Sequence, residues 1–283
     1  MLQPTAEPNP MDFQHLLYLG ALLLFAFGCR TFDNRFLQKI GWLGLLGASY
    51  YVGYFISGGS HVAGALGVLA WFVLPWLEIL GRVRKLRFPL RNEIKHRYPP
   101  SRDIFPDLNQ LSQELTHAGF EEVSDTGWKW HEIDHFMRLF YHPQTRTQAA
   151  ISLAQQGQFA FSHVSLTSRT QQHWTFTTSN YPFPPTMQFP PLHRLERFPY
   201  ADSLEDLLSA HDAQLTRYRL RTDDLIEMEP EQLTTRIEAE MSAQIDHNMH
   251  VGLITPAGEG EFRYSWRGYF YLWFQVVKDM IKV

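Results

Sequence analysis

The stretch WKWHEIDHFMRLFYH, Trp128 to His142, decides between a helical and a β reading of the polar part of this chain. If it were helical, His131 and His135 would share one face, with Glu132 beside them. From about residue 134 the pattern instead has a period of two, and Phe136 to Tyr141 is aromatic and leads into a strand. Segments 134–142, 147–156, 158–168 and 172–178 all read as strands, separated by His-Pro-Gln, Gln-Gly and Ser-Arg-Thr. Connections this short force neighbouring strands to be antiparallel, hence a meander. Trp128 to Phe136 is then a tryptophan-rich approach to the first meander strand, with His and Asp exposed.

Helices flank these strands. Asp107, with Gln110 three residues on, opens a helix whose stripe is Leu108, Leu111, Leu115 and Ala118, and Gly119 ends it. Asp202 with Glu205 opens a second, which carries Leu204, Leu207, Leu208, His211, Leu215 and Tyr218. A third begins near Pro230 and holds Leu233, Ile237, Met241, Ile245 and Met249 at four-residue spacing. Before the second helix, the proline-rich loop YPFPPTMQFPP (181–191) leads into a strand at 192–198. Residues 101–283 therefore read as an α+β domain, an antiparallel meander sheet with helices on one face. Its last segment, RGYFYLWFQVVKDMIKV, is an aromatic amphipathic helix too short in apolar residues to span a bilayer. It suits either the membrane interface or the domain core.

The first part of the chain differs in kind. Phe13–Cys29 and Gly41–Ser57 carry no charge, and His61–Gly81 carries only Glu78. Each run has the length that crosses a ~30 Å hydrocarbon layer as a helix. Gly58-Gly59-Ser60 joins the last two as a tight hairpin. The tail, residues 1–12, has Glu7 and Asp12 and no cation; the first connection has Arg30, Arg35 and Lys39; the second is uncharged. The linker 82–100 carries Arg82, Arg84, Lys85, Arg87, Arg91, Lys95 and Arg97 against Glu93. Because cations are retained on the cytoplasmic side, this alternation predicts three spans, about 13–29, 41–57 and 61–81. The N-terminus lies outside and the domain is cytoplasmic, in a plasma or bacterial inner membrane. The seven cations suit anionic lipid headgroups. Gly44, Gly47, Ala48, Ala63 and Gly67 permit close helix packing and, secondarily, a homo-oligomer. An acidic tail is wrong for a signal peptide, and Ala26 is wrong for a lipid-modification box at Cys29. His15 and His61, both toward the outer surface, raise a bis-histidine haem, but polar residues at helix ends explain them without one.

HEIDH, 131–135, resembles the zinc-binding motif of metalloproteases. The resemblance implies His131 and His135 as zinc ligands and Glu132 as general base, and so a membrane-anchored zinc protease as the alternative function. Three features depart from that family: Asp134 at an inner position, no following glycine, and His142 one residue beyond the extended spacing. Asp246, His247 and His250 form a second cluster, at a helix C-terminus where cations are at home. Trp174, Tyr181, Phe183 and Phe189 are candidates for the border of a groove. A net charge of −4 and a pI near 6.3 give no footprint for nucleic acid. A single cysteine excludes an intrachain disulfide, and no phosphate loop, nucleophile elbow or Cys-x-x-Cys is present. No cofactor is predicted. The expected function is binding: a scaffold, sensor or accessory subunit of a membrane complex, working on the bilayer and a protein partner.

Overall fold

The computed structural model describes residues 13–32, 35–130, 132–201, 203–258 and 260–282. The chain divides into two compact units, Met1–Lys85 with Tyr269–Val283, and Leu86–Gly268, so the second is inserted in the sequence of the first.

The first unit contains α1 (Phe13–Thr31), α2 (Arg35–Ile56) and α3 (His61–Arg82). Gly58 and Gly59 adopt left-handed conformations, φ +71° and +100°, that let the α2–α3 connection turn tightly. Ser60 Oγ then caps α3 by accepting from the Ala63 N–H. Small residues bring the backbones together. A β-carbon on Gly44 would stand 2.9 Å from that of Ala26, and one on Gly67 would stand 2.5 Å from the Ser49 carbonyl oxygen. One on Gly53 would collide with the Ala63 carbonyl. Trp71 Nε1 donates to Ser49 Oγ at 2.7 Å, tying α3 to α2. Leu24, Phe25, Leu43, Leu66, Leu69 and Leu74 point outward and are exposed.

Among the described residues one helical stretch, His61–Lys85, is long and apolar enough to cross a membrane. The sequence led us to expect three. α1 and α2 carry more polar residues, Gln14, His15 and Arg30 in the one and Arg35, Gln38 and Lys39 in the other.

The glycine contacts yield a prediction. Gly53→Leu must push the Ala63 backbone away, and overpacking of this kind costs about 1–3 kcal/mol. The thermal midpoint in detergent should fall. It should not move for Gly28→Leu, since a β-carbon there meets nothing within 4 Å.

The second unit is built on a seven-stranded sheet in the order β2-β3-β4-β5-β6-β7-β8. The strands are β2 (Lys95–His96), β3 (Glu121–Trp130), β4 (Ile133–His142), β5 (Thr147–Gln156), β6 (Phe159–Arg169), β7 (Thr175–Ser179) and β8 (His193–Arg197). A smaller sheet joins β1 (Phe88–Pro89), β10 (Glu261–Tyr264) and β9 (Ile254–Gly258). The meander expected from the sequence forms, but it begins one strand earlier. Residues 121–130 are themselves a strand, which makes the opening stretch a hairpin with Trp128 opposite His135.

Two further expectations are corrected. Helices cover both faces of the sheet. On one face α4 (Leu108–His117) and α5 (Leu204–Arg217) enclose Phe136, Phe140, Ile151 and Leu166. On the other, α6 (Leu233–His250) sets Leu233, Ile237 and Met241 against Met137, Leu139 and Tyr141. Alternate β4 residues thus feed two cores, as the two-residue period of a doubly buried strand requires. The sheet is also mixed, because β8 pairs parallel to β7. Prolines in the connection 180–192 lack the N–H a ladder needs, so the chain crosses back unpaired before β8 begins. Asn248, fully buried on α6, holds that crossing, accepting from the Gln188 N–H at 2.9 Å and donating to its carbonyl at 2.7 Å.

At the helix starts, Asp107 is the N-cap residue of α4 but makes no side-chain cap bond. Asp202 lies outside the described residues; Ser203 caps α5, its Oγ accepting from the Asp206 N–H at 3.1 Å. The C-terminal helix α7 (Trp266–Lys282) belongs from Tyr269 onward to the first unit, not to the sheet's core.

Candidate functional site

The described residues of the zinc motif occupy a hairpin. His131 lies outside the described residues, Glu132 sits in the turn, and His135 is on β4. Its ring stacks on Trp128, centroids 4.5 Å apart and planes 14° from parallel. Burial lowers its pKa to about 4, against an opposing pull from Asp134. Asp134 is itself paired with Lys129 at 3.3 Å and Arg97 at 3.6 Å. The motif's chemistry needs a continuous helix through both histidines, and Ile133–His142 is a strand. Among the described residues no group of three or more His, Cys, Asp or Glu is placed to hold a metal. In the second cluster, Asp246 receives a bidentate Arg91 at 3.1 Å, which fixes it as an ion-pair partner.

The seven cations of the linker are not a uniform band. Arg91 pairs with Asp246, Lys95 with Glu93 at 2.9 Å, and Arg97 with Asp134. Arg82 pairs with Glu78 at 3.6 Å, and Arg87 Nη1 donates to the Leu86 carbonyl at 2.9 Å. Arg84 and Lys85 lie in a short 3-10 turn. Such exposed pairs are worth ~0–1 kcal/mol each. The two histidines considered for haem are tied to tyrosines: His15 Nδ1 to the Tyr51 hydroxyl, and His61 Nδ1 to that of Tyr50 at 2.6 Å.

The four aromatic groove residues go to three places. Trp174 lies under the Arg194 guanidinium at 4.8 Å. Tyr181 and Phe183 gather around Phe161, at 5.7 and 5.1 Å, and Tyr181 meets His163 at 4.9 Å. Phe189 packs on His193 at 4.5 Å.

What the fold does open is a cleft between α4 and α5, about 780 Å³ in volume. Both helices lay leucines on the same sheet face. Leu111, Leu207, Leu208 and Val164 form an apolar lining, while Asp107, Glu114 and Glu205 contribute carboxylates. The volume falls in the range of small-molecule sites, and the cleft is half open to solvent. The leucine spacing marked the inner faces of α4 and α5, but nothing local in the sequence showed that the two helices leave a gap.

Beside this cleft runs a buried polar network. His211 Nε2 shares a hydrogen bond with Ser168 Oγ, and its Nδ1 shares one with Thr178 Oγ1, both 2.9 Å. Thr178 also donates to Gln214 Oε1 at 2.9 Å, and Thr147 meets Ser168 at 3.0 Å. A Ser–His contact is the beginning of a nucleophile–base pair. Here Ser168 and Thr178 are fully buried, and a threonine, not a carboxylate, orients the imidazole. The network therefore ties α5 to β6 and β7. Burial lowers the His211 pKa to about 4, which keeps the ring neutral. On the opposite face Arg169 forks onto Glu240 at 2.6 and 2.8 Å and donates to Gln148 Oε1 at 2.9 Å.

No protein-family model, no curated protein and no solved structure matches the chain.

Proposed function

We propose that this is an integral membrane protein in which α1, α2 and α3 form a three-span anchor, with the N-terminus outside. The α+β unit faces the cytoplasm and acts by binding, as a scaffold, sensor or accessory subunit of a membrane complex. The α4–α5 cleft receives a protein partner. The observation that carries this reading is the arrangement of the first three helices, glycine and alanine at their contacts with leucine and phenylalanine outward. An apolar exterior over small-residue contacts is what lipid as solvent favours. At 1.5 Å per residue, the 19, 22 and 22 residues of these helices give lengths close to a ~30 Å hydrocarbon layer. Arg30, Arg35 and Lys39, together with the cations after Gly81, set the orientation. Anionic headgroups are suitable partners for the linker cations Arg82, Arg84, Lys85, Arg87, Arg91, Lys95 and Arg97, and the glycine-lined helices for a second copy.

Paired reporters fused after Ser57 and after Arg97 test the topology. The expected result is an external signal from the first and a cytoplasmic signal from the second; a cytoplasmic signal from both overturns the three-span anchor. Binding is tested by gentle purification of the full chain with its companions. Leu111→Asp with Leu208→Asp should release a companion that the unmodified chain retains, and equal retention refutes the cleft as its site.

A further inference from the structure

The C-terminal helix is seated on α3 by aromatic residues. Trp273 Nε1 donates to the Phe72 carbonyl at 2.7 Å, Phe270 lies 4.7 Å from Trp76, and Trp273 meets Trp76 edge-on at 6.3 Å and 81°. Pro75 stands inside α3 next to this contact. A proline there removes the N–H that would bond the Trp71 carbonyl and loosens the turn that carries Phe72. Tyr269, Leu272 and Val277 are buried.

Part of the apolar side of α7 is exposed. Phe274 is 56% exposed and Phe270, although its ring meets Trp76, is 57% exposed, and Lys278 continues the same line. Two large aromatics one turn apart on an exposed stripe are costly in water. Lipid is the occupant that the surroundings indicate. The helix that α7 sits on is the stretch long and apolar enough to cross a membrane. Its contact residue Trp76 lies just before Glu78 and Arg82, where the apolar run gives way to charge. That boundary is where tryptophan and tyrosine belts form.

We propose that α7 is an interfacial helix whose Phe270–Phe274 stripe is immersed in lipid, with Lys278 reaching back toward headgroups. The chain then meets the bilayer a further time, through α7 after α3. This inference rests on the membrane anchor of the proposed function.

The test uses the full chain in lipid nanodiscs with Cys29→Ala as background. A nitroxide is placed singly at Phe274→Cys, at Leu69→Cys on the outward side of α3, and at the exposed Ala213→Cys on α5. Oxygen, which concentrates in lipid, and a water-soluble nickel chelate compete as relaxers. The expected result is an oxygen-to-nickel collision ratio several-fold higher at residues 274 and 69 than at 213, repeated with Phe270→Cys. A lipid-type ratio at 69 with a water-type ratio at both 274 and 270 overturns the proposal and leaves the anchor standing. A water-type ratio at 69 overturns both.

Discussion

Arg169→Met should destabilise the α+β unit by about 3 kcal/mol, the lower end for a broken buried pair, because it leaves a partly buried carboxylate with only the more exposed Arg236, at 3.3 Å, beside it. The Arg169 side chain is 3% exposed and that of Glu240 23%. Burial alone would raise the Glu240 pKa. The Arg169 hydrogen bonds and charge, with smaller help from Arg236 and His193, outweigh burial and hold it below the ordinary carboxylate value. Methionine keeps much of the volume of arginine but none of these interactions. The loss should therefore come from the stranded charge rather than from a cavity. Adding Glu240→Leu should recover much of it, since replacing a buried pair by apolar residues is often nearly neutral. Denaturant unfolding of both single variants and the double variant completes the cycle. A loss under about 1 kcal/mol for Arg169→Met would show that the fork is not a support of the fold.

Acid should weaken the same unit well above the range in which carboxylates titrate. Burial lowers the pKa of His211, His163, His193 and His135 from 6.5 to about 4 in each case. The unfolded chain therefore takes up protons near pH 6.5 that the folded chain refuses until about pH 4. Stability is complete above the unfolded value, falls as pH drops through this window, and levels off below it. For His211, 4% exposed, the lowering corresponds to a loss on the order of 3 kcal/mol across the window. Glu240, whose pKa is lowered from 4.5, contributes its own loss only below that value. His211→Gln should flatten the fall in unfolding free energy between pH 7 and pH 4.5, at the expense of some stability at pH 7. An unchanged slope would mean that His211 takes up its proton in the folded state without difficulty.

Much of the local architecture was legible because it depends on short-range pattern. The period-two run from residue 134 became β4, β5 and β6 within a residue or two of the expected limits, and the Leu233–Ile237–Met241–Ile245 spacing became the inner side of α6. The strand at 121–130 went unread because its apolar alternation is weak: Glu121, Glu122, Ser124, Asp125 and Lys129 fill it, and β4 supplies its pairing. The α4–α5 cleft was invisible for a related reason. Each helix's stripe specifies which side is inward, but not how far apart two inward sides settle on the sheet.

The amino-acid order was sufficient for the apolar helices, the placement of their cations, the meander and the helix stripes. Each depends on residues within a turn of helix, a hairpin or a bilayer's thickness of chain. The parallel addition of β8, the covering of both sheet faces and the Arg169–Glu240 fork depend on contacts between residues distant in the chain, 71 apart for the fork. So does the seating of Trp273 on Phe72, 201 residues away. Those outcomes follow from burial and hydrogen-bond satisfaction in the folded chain, which sequence spacing does not encode. The HEIDH motif lies on that divide. Its residue types suggested a zinc helix, and pairing of β3 with β4 put Glu132 in a turn and His135 on a strand, stacked on Trp128.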